Sequence, residues 1–261
     1  MDRLFDSAFV RPPPNSYSEC VSANPHGSEI DVTLAKAQHR HYCSILKESG
    51  IELIALPSLE NFPDSVFMQD PALLGSRNSV IGRFGEARRR GEEKALVDDL
   101  RKLARLGRLS WVIEPGTLEG GDVVVTEKDV FVGESKRTNA SGIQQLTHVL
   151  KDVSIRAVKT ELMHLLCGCA YLNDKTMIIV PELVDTVSFP GFKFIPLPKE
   201  EVYAADALYL GARKVLIPSG YPTANMKLKE AGYRPVEVDM SEFWKGDGGV
   251  TCLNSPIYKL L

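Results

Sequence analysis

The chain has 261 residues, 44% of them hydrophobic and 25% charged, a balance that can bury a substantial core. A net charge of −3 and a pI near 6.0 provide no general attraction to nucleic acid or an anionic membrane, so a small-molecule partner is expected. The opening residues Met1-Asp2-Arg3-Leu4-Phe5 lack a basic and apolar leader, and no stretch approaches the roughly 20 apolar residues of a membrane span, which points to the cytoplasm.

In chain order, the prolines leading into Asn15-Ser16-Tyr17 predict a stiffened turn. A helix over Glu29 to Ser49, closed by Gly50, precedes a strand at Ile51 to Leu56. The apolar run Ser79 to Gly82 reads as a buried strand, followed by a helix over Glu92 to Leu106, Gly107 as its stop, and a strand at Leu109 to Ile113. Val123 to Val125, Val130 to Val132, Val153 to Val158, Met177 to Val180 and Phe192 to Ile195 continue the series. Lys214 to Ile217 then leads to a helix over Asn225 to Ala231, closed by Gly232, and a strand at Arg234 to Val238. A further short strand is expected at Val250-Thr251-Cys252. The helix-then-strand joints recur roughly every 40 to 60 residues, the range of repeated supersecondary units. The unit with the short, proline-bounded stretch Leu183 to Pro190 is the weakest of the series.

This is an α/β pattern with several strands per helix. Five such units around an axis give a closed, pseudo-fivefold α/β propeller with one central site, and with no linker in sight the whole of 1–261 reads as a single domain. A doubly wound open sheet is the alternative, disfavoured by the missing GxGxxG loop.

The chemistry-bearing residues lie far apart. Gly246-Asp247-Gly248-Gly249 leads into Cys252, Leu118-Glu119-Gly120-Gly121-Asp122-Val123 carries a carboxylate, and His164 lies between them in sequence. Carboxylate, imidazole and thiol are the parts of an activated nucleophile, although each alone has an ordinary explanation as a turn acid, a core histidine or an inert thiol. Five cysteines at irregular spacing do not form a secreted disulfide framework. Cys167-Gly168-Cys169 lacks CxxC spacing and suits strand alternation, and His39, His41 and Cys43 fall on a helix where only 39 and 43 share a face. No metal site is expected from either group.

Several motifs occur in a telling order: Phe62-Pro63-Asp64-Ser65-Val66-Phe67-Met68-Gln69-Asp70, Arg88-Arg89-Arg90-Gly91-Glu92, LEGGDV at 118–123, Phe131 to Asn139, His164, and Thr251-Cys252. Together they resemble the dimethylarginine dimethylaminohydrolase family of the guanidine-modifying (pentein, amidinotransferase) superfamily. The resemblance spans nearly the whole chain and implies the five-bladed propeller, hydrolysis of methylated arginine to citrulline and an alkylamine, and no cofactor. It implies Cys252 as nucleophile, His164 as acid and base, and Glu119 as the carboxylate that orients it. It further implies that Asp70 binds the guanidinium, Asp64 the α-amine, and Arg89 and Arg137 the α-carboxylate, with Tyr17 in a lid.

Two positions depart from that pattern. Gln69 stands where the family commonly has glutamate, and Tyr17 where it commonly has leucine, so both are expected to shape specificity in the pocket. Competing functions are an arginine or other guanidino-compound deiminase, an amidinotransferase, and a non-catalytic guanidino-binding relative. A cysteine peptidase or acyl transferase is disfavoured, because paired acids suit a cation better than a peptide carbonyl. A monomer or homodimer is expected.

Overall fold

The computed structural model describes residues 3–103 and 107–261. The strands and helices are β1 (Phe5–Val10), α1 (Val32–Glu48), β2 (Glu52–Ala55), β3 (Ala72–Gly75), β4 (Asn78–Ile81), α2 (Glu92–Leu103) and β5 (Arg108–Trp111). They continue with β6 (Val123–Val125), β7 (Asp129–Glu134), α3 (Ala140–Val149), β8 (Ser154–Lys159), β9 (Cys169–Tyr171), β10 (Thr176–Ile179) and β11 (Lys193–Pro196). The last are β12 (Leu208–Gly211), β13 (Lys214–Pro218), α4 (Pro222–Glu230), β14 (Arg234–Val238), α5 (Ser241–Lys245) and β15 (Asn254–Tyr258). The end of the helix expected over Glu92 to Leu106 falls on residues 104–106, outside the described residues.

One arrangement of three strands recurs. β3 pairs antiparallel with β4, and β4 parallel with β5; β6, β7 and β8 repeat this, as do β9, β10, β11 and β12, β13, β14. The remaining trio is assembled from both ends of the chain, with β15 antiparallel to β1 and β1 parallel to β2. β15 also pairs in parallel with β3, joining two trios into one six-stranded sheet in the order β2-β1-β15-β3-β4-β5. Parallel neighbours require a crossover, which α1, α2, α3 and α4 supply. In the trio of β9 to β11 the crossover carries only the 3-10 turn Thr186–Ser188, which is why its sequence signal is faint.

Burial falls across each trio. β3, β6, β9 and β12 are buried throughout, whereas β2, β5 and β8 consist of exposed and half-buried residues except for the buried Val158. The inner strands are three to five residues long, with both faces enclosed, so they carry no polar alternation. α1 starts where the Asp31 side chain accepts hydrogen bonds from Thr33 and Leu34 N–H, two residues after the expected start, and Asn139 caps α3 in the same way through Gly142 N–H.

Cys252 is not in a strand. Residues 250–253 form a turn, and β15 begins two positions after the thiol. Likewise Cys167 closes the 3-10 turn Leu165–Cys167, and only Cys169 enters β9.

Candidate active site

Each trio delivers its side chains from the segment that leads into its innermost strand. Asp70 lies two residues ahead of β3, Glu119-Gly120-Gly121-Asp122 runs into β6, His164 lies just ahead of β9, and Cys252 two residues ahead of β15. Residues more than 180 positions apart thus line one pocket of about 330 Å³, formed by Asp64, Asp70, Arg89, Arg137, His164 and Cys252 with Val21, Phe67, Met163 and Gly246 to Gly248.

Glu119 is the best-held carboxylate. Its Oε1 accepts from the N–H groups of Gly85 (2.9 Å) and Glu86 (3.3 Å), and its Oε2 lies 2.8 Å from His164 Nε2 and 3.4 Å from Arg137 Nη1. With Nε2 donating to Glu119, His164 keeps Nδ1 for the pocket, 3.8 Å from Asp70 Oδ1. Gly121 makes this possible, because a Cβ there would lie 2.5 Å from Nδ1 and 2.8 Å from Asp70 Oδ1. Burial opposes the imidazolium, but the Asp70 charge and the Glu119 hydrogen bond outweigh it and lift the His164 pKa to about 9. Burial likewise opposes the Glu119 carboxylate, yet the His164 hydrogen bond holds its pKa below the usual range.

Asp70 divides its two oxygens. Oδ2 accepts from Arg89 Nη1 at 2.5 Å, whereas Oδ1 is buried with no hydrogen-bond partner. Such an oxygen is costly to bury unless a donor arrives. Arg89 is itself buried and forked onto Glu92, with Nε to Oε1 at 3.1 Å and Nη2 to Oε2 at 2.9 Å, while Nη2 also reaches Asp64 O at 3.5 Å. Its guanidinium stacks 4.4 Å from the Phe84 ring centre. Four of its five N–H donors are thereby used, so Arg89 has little left for a ligand carboxylate. Arg137 holds one 3.4 Å contact to Glu119 and is the freer of the two arginines.

Cys252 Sγ accepts from Gly249 N–H at 3.3 Å and lies 3.8 Å from Asp206 Oδ2. Burial, and next the Asp206 carboxylate, push its pKa well above that of a free thiol. Asp206 was not among the residues singled out from the sequence. Its signal is positional: it lies two residues ahead of β12, as Asp70 does ahead of β3 and Cys252 ahead of β15.

Gln69 and Tyr17 do not line this pocket. The side chains of Gln69 and Asp70 part within the turn that leads into β3, and the Gln69 amide faces a separate cavity and donates to Gly120 O at 3.2 Å. Its backbone N–H donates to Cys252 O at 3.2 Å, and Gly120 N–H to Asp70 O at 2.9 Å, so Gln69 ties together the segments of Asp70, Glu119 and Cys252. Tyr17 is fully buried on the 3-10 turn Asn15–Glu19, against Phe67 and Phe243, with its hydroxyl donating to Glu242 O at 3.3 Å. It anchors the segment from beneath, and the residue of that segment that reaches the pocket is Val21, whose N–H donates to both Asp64 oxygens at 3.1 Å.

Asp70, Glu119 and His164 bring ligand atoms within 4.8 Å of one another, near enough to hold a metal ion. The sequence reading placed no metal here, and the same oxygens suit the edge of an organic cation. No helix of the described residues is long and apolar enough to cross a membrane.

The sequence profile of the family described as N,N dimethylarginine dimethylhydrolase, eukaryotic, matches residues 15–259. The chain belongs to the dimethylarginine dimethylaminohydrolase family. The family's N(G),N(G)-dimethylarginine dimethylaminohydrolase of Pseudomonas aeruginosa is 35% identical over 96% of this chain and 99% of its own. An uncharacterised protein of Aeropyrum pernix is 41% identical over 100% of this chain and 98% of its own. A solved structure of the Pseudomonas enzyme, a cysteine-to-serine mutant complexed with citrulline, superposes with a TM-score of 0.91 at 34% identity, covering 98% of this chain and 100% of that one. The N-terminal domain of a cyanobacterial arginine dihydrolase shares the fold, with a TM-score of 0.87 at 19% identity, covering 98% of this chain and 99% of its own. Family and neighbours agree on an α/β fold with mixed sheets.

Proposed function

We propose that this chain hydrolyses the guanidino carbon of mono- or dimethylated arginine to citrulline and an alkylamine through a covalent intermediate on Cys252. The observation that carries the reading is Asp70 Oδ1, a buried acceptor without a donor in the pocket that also holds Cys252 and His164. A guanidinium N–H would satisfy it and set the flat carbon beside the sulfur.

The steps follow from the chain's own groups. Cys252 adds as thiolate, forming an S–C bond while the C=N electron pair moves onto nitrogen. His164, protonated below about pH 9, gives its Nδ1 proton to the departing amine as the C–N bond breaks. The neutral imidazole then takes a proton from water as the oxygen attacks the thiouronium carbon. The C–S bond breaks with its electrons returning to sulfur and the remaining O–H proton passes to the released amine, leaving the ureido product. Glu119 holds the imidazole throughout. Arg137 is assigned the substrate carboxylate, with Arg89 contributing its one remaining donor and chiefly fixing Asp70. Asp64 is assigned the α-amine, beside Val21.

The five trios are read as the blades of one propeller, with 1–261 as a single guanidine-modifying domain acting in the cytoplasm as a monomer or homodimer. An assay of purified protein on dimethylarginine, monomethylarginine, arginine and agmatine, following ureido product and released amine together, tests the function. Citrulline and dimethylamine from dimethylarginine support it. Ammonia from arginine with no reaction of methylated substrates would move the assignment to a deiminase.

A further inference from the structure

The residues two positions ahead of the five inner strands are Asp70, Gly121, Cys167, Asp206 and Cys252. Among these equivalent positions Cys252 has two acids, Asp70 and Asp206, and a second thiol, Cys167, as the charged or titratable neighbours acting on it most. Asp206 is the nearest, with Oδ2 3.8 Å from Sγ. It is fixed there from two sides. Thr251 N–H donates to Oδ1 at 2.8 Å, and a Cβ on Gly249 would lie 2.3 Å from Oδ2, so the glycine ahead of the nucleophile leaves room for this carboxylate. His164 lines the pocket from the β9 side, and its imidazolium lies between two carboxylates, Nε2 2.8 Å from Glu119 Oε2 and Nδ1 3.8 Å from Asp70 Oδ1, which offset its charge. Arg89 is committed to Asp70 and Glu92.

We propose that Asp206 is a positioning residue whose carboxylate accepts the Cys252 S–H and so sets where the sulfur sits and how readily it ionises. Two like charges 3.8 Å apart in a shielded site repel strongly, so ionising the thiol beside the Asp206 carboxylate is unfavourable in the empty pocket. A guanidinium seated on Asp70 brings a positive charge to the same space. The S–H bond then ionises, its electron pair staying on sulfur and its proton passing to solvent. Burial raises the Asp206 pKa to about 6, which leaves it ionised at neutral pH and able to exert this effect.

The proposal rests on Cys252 being the nucleophile, and its test separates the two. Asp206→Asn keeps an oxygen for Thr251 N–H but removes the charge. The rate of iodoacetamide alkylation at Cys252, read by peptide mass against pH, is expected to shift its midpoint down by a unit or more, making alkylation at pH 7.5 about tenfold faster. An unchanged midpoint in a folded Asp206→Asn protein would overturn the proposal. The parent protein provides a check that needs no folded Asp206 variant: its thiolate absorbance at 240 nm, minus that of Cys252→Ser, is expected to stay flat from pH 6 to 8.5. A thiolate already present at pH 7 overturns the proposal directly. Turnover of Cys252→Ser on dimethylarginine is measured alongside. Activity there sinks the nucleophile reading, while the titrations still report what Asp206 does to the sulfur.

Discussion

Adjacent residues of the same segments separate the catalytic pocket from the cavity behind it, and the two faces differ in kind. On one face Asp70 and Cys252 join His164, Arg89 and Arg137. On the other, their sequence neighbours Gln69 and Thr251 border a space of about 510 Å³ lined by Val123 to Val125, Leu166, Leu208 and Tyr258. In the turns that lead into β3 and β15, neighbouring residues border opposite spaces, so each of these two lead-ins supplies a reactive group forward and a structural group backward. Adjacent residues are therefore expected to fail in different ways when changed: forward ones in chemistry, backward ones in stability.

The largest break is at the sulfur. Cys252→Ser is expected to lower kcat by about a thousandfold or more while substrate still binds, as measured by steady-state turnover and by equilibrium binding of dimethylarginine. Next comes His164→Gly, with a loss of about 10² to 10⁴ in kcat, the range of general acid–base catalysis, and partial recovery with added imidazole. A loss confined to KM would contradict the role given to Nδ1.

Arg89→Ala tests the buried network beside the pocket. It leaves Asp70 and Glu92 unpaired, and a broken buried pair costs about 3 to 5 kcal/mol, so urea unfolding should show a large loss of stability together with weaker substrate binding. An exposed-pair effect below about 1 kcal/mol would mean that water reaches these groups.

The His164 pKa adds a pH window. Its folded value is raised, so the stabilisation is complete below the ordinary histidine value near 6.5 and is lost as pH rises through about 9. The melting temperature of the parent should fall over that window more steeply than that of His164→Gln. Parallel slopes would remove His164 as the cause. The limit of the effect is on the order of 3 kcal/mol, from the gap between the ordinary histidine value and about 9.

Smallest on catalysis is Gln69→Glu. With the side chain facing the rear cavity, the ratio of kcat/KM between dimethylarginine and arginine should change by less than about threefold, while stability falls as an added carboxylate is buried. A tenfold gain in selectivity for methylated substrate would return Gln69 to the pocket.

Most middle and outer strands were legible because their apolar, β-branched runs are bounded by turn residues, although the middle strand β1 (Phe5–Val10) was missed, and the helices α1, α2 and α4 because stop glycines follow them. The inner strands β3 and β12 were missed: Ala72–Gly75 and Leu208–Gly211 are four residues each, and being enclosed on both faces they lack alternation. Missing β12 also hid Asp206, since its meaning is its place ahead of that strand. α3 was overlooked although Asn139 caps it and Ile143, Leu146 and Leu150 follow at helical spacing. Reactive residue types in family order pointed to Cys252, His164, Glu119 and Asp70, which the fold does bring together. Residue type says nothing about which way Gln69 or Tyr17 turns, and packing made them structural.

β15, the strand that follows the thiol, lies between β1 and β3, partners made at the other end of the polypeptide. During synthesis the acids and the imidazole are made well before the sulfur, and the strand that follows the sulfur has its place only between β1 and β3. Chains that stall or break before residue 254 therefore carry the acids and the imidazole without a seated nucleophile.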